Sequence, residues 1–99
     1  MTATLTTLNR GLFPAGRVLI IPGALNAPAE SGQQPGDFLV KHLQGDWGEL
    51  CEADRAANQE ALEQGLRLLS ACRTSKGQKL WIITEADRSA TTLLLPEEY

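Results

Sequence analysis

Between Leu66 and Leu95 the chain is patterned for strands and for little else. Three runs, Leu66–Arg73, Lys79–Thr84 and Ala90–Leu95, are β-branched or leucine-rich and are parted by Ser75-Lys76-Gly77 and by Glu85–Ser89. Links this short force antiparallel neighbours, because a parallel return needs a crossover of about a dozen residues or more. Gly77 suits the left-handed position of a bulged hairpin turn. Alternation then sorts the side chains: Leu80, Ile82, Leu93 and Leu95 to one face, Trp81, Ile83 and Leu94 to the other. One of these faces needs helical cover, and the helices must come from upstream.

Upstream, Arg17–Ile21 is a short apolar run stopped by Pro22-Gly23, and its continuous apolarity predicts a strand covered on both faces. Gly23–Glu30 predicts a short helix that Pro28 caps or breaks. Pro35 fits the first position of a second helix, with Asp37 at its positive end and Gly45 as its stop. Phe38, Leu39, His42 and Leu43 share one side of it. A third helix runs from about Glu52 to Gln64, with acids in its first turn and Gly65 after its end. Ala53, Ala57 and Ala61 form a row on it that permits close packing, and Asn58, if buried, needs hydrogen-bond partners. The expected fold is α+β: one short N-terminal strand, two to three helices, then a three-stranded antiparallel meander packed on the helices. Ninety-nine residues hold one core. Residues 1–16, rich in Thr and without periodicity, read as a flexible segment ahead of a single domain over 17–99.

Apolar runs such as Val18–Ile21 are far too short to cross a bilayer, and the first residues carry no basic cluster ahead of an apolar stretch. The cytoplasm is therefore the expected location, with no membrane contact. Cys51 and Cys72 match neither a CxxC pair nor a zinc set and are expected as free thiols packed like small apolar groups. One His, two separated Cys and scattered carboxylates call for no metal, and no motif calls for a cofactor. The net charge of −3 is uneven. Six acids between Asp46 and Glu63 face one base, Arg55, whereas Arg67–Arg88 carries five bases against Glu85 and Asp87. A recognition helix over Glu52–Gln64 would set carboxylates beside phosphates, so nucleic acid is an unfavourable partner for it.

Two polar groupings bear on chemistry. His42 with Asp46 and Trp47 reads as a general base, an orienting carboxylate and a pocket wall. The structural reading makes His42 part of a helix's apolar face, Asp46 a local cap and Trp47 a core anchor. Serines 31, 70, 75 and 89 offer a third member of a triad, yet none lies in a nucleophile elbow. Glu85–Ser89 joins two strands, and Asp87 there suits a turn cap. With Arg88, Ser89, Thr91 and Thr92 it also makes a compact polar site. A small RNA-cleaving enzyme would use His42, Asp46, Arg88 and Ser89 together, which requires that the two groupings converge. The acids Glu52, Glu60 and Glu63 read as a solvated helix face or as a surface that meets a basic protein.

Several local signatures stand together: Ile21-Pro-Gly-Ala-Leu25, His42-Leu-Gln-Gly-Asp-Trp-Gly48, Asp54 with Ala57-Asn58 and Ala61-Leu62, and the whole stretch from Leu80 to Tyr99. Over about Val18–Tyr99 they resemble a family of small bacterial proteins carried on plasmids, phages and integrative elements. That family is labelled "plasmid-related protein" and sometimes "type I restriction endonuclease subunit M". The resemblance implies a mobile-element setting and brings no catalytic residue with it. The restriction label fails on chemistry: neither a GxG turn for a methyl donor nor an Asn/Asp-Pro-Pro-aromatic motif occurs in the chain.

The expected function is that of a non-enzymatic accessory protein of a mobile element that binds a host or element protein, with inhibition of a defence nuclease as one concrete form. Trp47, Glu52, Glu60, Glu63, Asp87 and Arg88 are the residues assigned to that contact. The RNA-cleaving enzyme is the alternative.

Overall fold

The computed structural model describes residues 12–99. Strand β1 (Arg17–Ile20) leads into helix α1 (Pro22–Glu30), followed by α2 (Pro35–Leu43) and α3 (Glu52–Gln64). Strands β2 (Leu68–Arg73), β3 (Lys79–Thr84) and β4 (Ala90–Leu94) complete the sheet, and a 3₁₀ turn spans Pro96–Glu98. The architecture is α+β, as the patterning requires. The sheet order is β1-β4-β3-β2, with β2, β3 and β4 an antiparallel meander.

β1 joins the meander, pairing parallel with β4, Arg17 opposite Ala90 and Ile20 opposite Leu93, so the sheet is mixed and four-stranded. The expected cover of this strand needs correction, since it is not covered on both faces. All four of its residues are exposed, Leu19 by 42%. A short apolar run reads alike for a central strand and for an edge strand, and only the partner count separates them.

Pairing places Leu68, Ser70 and Cys72 of β2, Leu80, Ile82 and Thr84 of β3, and Thr91 and Leu93 of β4 on one inner face, and every one of them is buried. The helices cover this face. Phe38, Leu39 and Leu43 descend from α2, Ala24 from α1 and Ala61 from α3, with Trp47 and Phe13 closing the cluster. The alanine row of α3 is not the packed stripe: Ala53 and Ala57 are exposed, and the inward positions are Asn58, Ala61 and Leu62. Pro28 neither caps nor breaks α1 but sits buried in its last turn, where its carbonyl accepts from Ser31 and Gln33. The segment read as flexible divides in two. Residues 1–11 lie outside the described residues, whereas Phe13 is a core side chain and the Leu12 N–H donates to the Leu43 carbonyl.

The two edges of the sheet are treated differently. On β2, Asn58 grips Leu69 at both backbone groups, Nδ2 to the carbonyl at 2.6 Å and the Leu69 N–H to Oδ1 at 3.2 Å. The Ala71 N–H donates to the Trp47 carbonyl, and the Glu49 N–H donates to the Ala71 carbonyl. Gly48 permits this approach: at φ +74°, an added Cβ would fall 2.1 Å from the Ala71 oxygen. Thus the outward backbone groups of Leu69 and Ala71 are already engaged. Nothing comparable meets β1 among the described residues. At the opposite end of the chain, the Glu98 carboxylate accepts from the N–H groups of Gly23 and Leu95, placing a negative charge on the positive end of α1.

Candidate functional site

Pro35 and Asp37 start α2, the Asp37 carboxylate accepting from the Gln34 N–H at 3.0 Å. Four positions after Phe38, the same face delivers His42 to the sheet, where the residue has no exposed surface. Three hydroxyls await it at inward positions of three strands: Ser70 Oγ lies 2.5 Å from Nδ1, Thr84 Oγ1 2.9 Å from Nε2, and Thr91 Oγ1 2.8 Å beyond Thr84. Thr91 donates to the Ala15 carbonyl at 2.7 Å.

That last partner orders the whole chain. A carbonyl only accepts, so the Thr91 proton goes to Ala15 and Thr91 accepts from Thr84. Thr84 has spent its proton in turn and accepts from the imidazole, which therefore carries its hydrogen on Nε2. Nδ1 is left to accept from Ser70. Each buried polar atom of the set has a partner, and the imidazole is neutral. Phe13 and Trp47 meet the ring edge-on, with centroids at 5.2 and 5.5 Å. Burial lowers the His42 pKa to about 4.

The contact of Ser70 with His42 has the form of a nucleophile and its base, but both side chains are wholly buried. A substrate has no route to them, and a base that titrates near 4 is weakly matched to proton transfer at neutral pH. Asp46 does not orient His42. It is exposed, and its Oδ1 accepts from the Gly48 N–H at 3.2 Å. Trp47, assigned to a contact surface, is instead a core residue at 5% exposure, because the chain must dive inward there to bridge Ala71.

Arg88 occupies the left-handed region at φ +61° and turns its guanidinium onto the end of α3. Nη1 donates to the carbonyls of Leu66, Glu85 and Ala86, and Nη2 to that of Ala61. A cation at a helix C-terminus faces the negative end of the helix dipole. Asp87 Oδ1 accepts from the Ser89 N–H at 3.0 Å, and hydrogen bonds from the Ser89 side chain and backbone hold the Asp87 carboxyl below its usual range. This loop closes a turn. Arg88 and His42 both touch Phe13, one guanidinium 5.7 Å above the ring and one imidazole against its edge. They are neighbours, yet they present no common solvent-facing point.

The remaining assigned residues lie on α3. At 100° per residue, Glu52, Glu60 and Glu63 fall within about a quarter of the helix circumference, opposite the inward Asn58, Ala61 and Leu62. All three are exposed. The single base of the helix, Arg55, is committed elsewhere, donating to the carbonyls of Gly48 at 2.6 Å and Leu50 at 3.0 Å. Glu49 is answered by Arg73 at 2.7 Å. Cys51 is exposed and Cys72 buried, and both are free, so only Cys72 packs as expected.

Sequence reasoning missed one feature. On the outer face, Leu69, Trp81 and Ile83 floor a cleft of about 280 Å³ walled by Arg67 and Tyr99. Arg67 Nη1 donates to the Tyr99 hydroxyl at 3.0 Å, and Tyr99 meets Trp81 edge-on at 5.9 Å. Trp81 opposite Leu80 and Ile82 signals an apolar second face, but no local pattern joins Arg67 to Tyr99. Among the described residues, no group of three or more His, Cys, Asp or Glu side chains is placed to hold a metal ion. No helix there is long and apolar enough to cross a membrane. Comparison with protein-family models, with curated proteins and with solved structures finds no match to this chain.

Proposed function

We propose that this protein acts by binding another protein and performs no chemistry of its own. The observation that carries the reading is the outward face of α3, where Glu52, Glu60 and Glu63 stand together in solvent while Arg55 is tied to backbone carbonyls. Such a face attracts a basic partner and repels a phosphate backbone. A protein that itself grips nucleic acid has the matching surface. Together with the resemblance to mobile-element proteins, this favours an accessory role in which the acidic face occupies the nucleic-acid channel of a host or element protein, a defence nuclease being the concrete case. The sealed environment of His42 and the committed guanidinium of Arg88 supply the complementary argument against an RNA-cleaving site.

Affinity capture from the host, run in parallel with the wild-type chain and with a Glu52→Lys/Glu60→Lys/Glu63→Lys variant, tests the reading. The wild type should retain a basic, nucleic-acid-binding protein that is released by moderate salt, and the variant should lose it. Capture indifferent to charge reversal would sink the assignment to α3. RNA turnover that disappears with His42→Ala would replace binding by catalysis.

A further inference from the structure

We infer that β1 is a self-pairing edge, through which two copies of this chain join their sheets into one. The Arg17 N–H donates to the Ser89 carbonyl at 2.9 Å and the Ile21 N–H to the Leu93 carbonyl at 3.0 Å. Alternate residues of a parallel strand face the same way, so Val18 and Ile20 turn their N–H and C=O groups away from β4. No group among the described residues meets them. Proteins blunt such an edge with charge, proline, a bulge or a covering segment. The β2 edge is engaged by Asn58 and by the Trp47–Glu49 bridge, whereas β1 carries Val18, Leu19 and Ile20, each about two-fifths exposed, and beyond the charge of Arg17 at its first position has none of these devices among the described residues.

The free groups complement themselves. A two-fold axis through Leu19 sets Val18 against the second copy's Ile20 and Ile20 against its Val18, each an antiparallel pair that exchanges both hydrogen bonds. The two Leu19 residues then meet at the axis as the close, non-bonded pair, with Cα atoms about 4.5 Å apart. The charge distribution also admits a second copy at this surface. Each chain carries −3 overall, yet from Val18 to Ala29, the strand after Arg17 and nearly all of α1, there is no charged residue. Two like-charged molecules can approach along this stretch with little repulsion. The inference is independent of the acidic face of α3.

Sedimentation equilibrium of the full chain at submillimolar concentration should return twice the 10.7 kDa chain mass. Val18→Pro removes a donor that β4 does not use, and Leu19→Lys places like charges on the axis. Each should halve the mass while leaving the circular dichroism of the fold intact, and Leu19→Lys serves alone if the proline variant does not fold. In a Cys51→Ser background, Leu19→Cys should crosslink on mild oxidation and Ile20→Cys should not, because residues 20 of the two copies are offset beyond disulfide reach. A monomeric wild type, a dimer that survives both substitutions, or equal crosslinking at the two positions would overturn the inference.

Discussion

At the scale of single residues, His42 is the side chain whose surroundings say most. It is neutral because burial opposes its charge, and its hydrogen is directed by a relay of hydroxyls that ends on the Ala15 carbonyl. Its folded pKa of about 4 lies below the unfolded value of about 6.5. As pH falls through 6.5, the unfolded chain takes up a proton that the folded chain refuses until about 4. Stability is therefore whole above 6.5 and declines towards 4, by about 3 kcal/mol across the window. Urea melts between pH 7.5 and 4.5 should show this slope, and subtracting a His42→Gln series should cancel the carboxylate contribution and leave that of the imidazole. A wild-type slope equal to that of the variant would mean that the imidazole is hydrated or paired with charge in the fold. Part of this site was legible in the sequence. His42 falls on the apolar side of its helix, and Ser70, Thr84 and Thr91 are polar residues at the inward beat of strands otherwise lined by Leu, Ile and Cys. Their meeting was not legible, since it depends on the register of three strands against a helix some thirty to fifty residues away.

At the scale of elements, the local punctuation was readable and the long-range pairing was not. Pro35, Gly45 and Gly65 bound two helices close to the expected residues, and alternation sorted β3 and β4 onto their faces, because each of these signals acts within a few positions. The packed stripe of α3 escaped because small size favours close approach without requiring it. Asn58 was the better guide, as a buried amide must find partners. It finds them on β2, and this gives the residue an outsized place in the sheet. Asn58→Ala should cost about 1–3 kcal/mol, since both backbone groups of Leu69 would be left without their bonds at a half-buried edge. Chemical denaturation measures the loss. A change within a few tenths of a kcal/mol would show that water replaces the amide there without penalty. The parallel partner of β1 was unreadable for a related reason: nothing near Arg17–Ile20 marks Ala90–Leu93 as its neighbour.

At the scale of the whole molecule, the folded unit begins earlier than composition suggested. Phe13 sits among His42, Trp47 and Arg88, and the Ala15 carbonyl terminates the hydroxyl relay. Phe13→Ala should cost about 3–5 kcal/mol, a large part of the stability of a domain this size. A thermal melt of that variant should show a midpoint many degrees lower, and a shift of a degree or two would return the segment to the periphery. The union of β1 with β4 has a further consequence, one of time. Among the described residues Arg17 pairs with Ala90 and its neighbours, so during synthesis it must wait for about 70 more residues, roughly 4–15 s at ~5–20 residues per second. The most apolar edge of the sheet is thus made first and paired last, and for those seconds the nascent chain carries an open strand whose β4 mate does not yet exist.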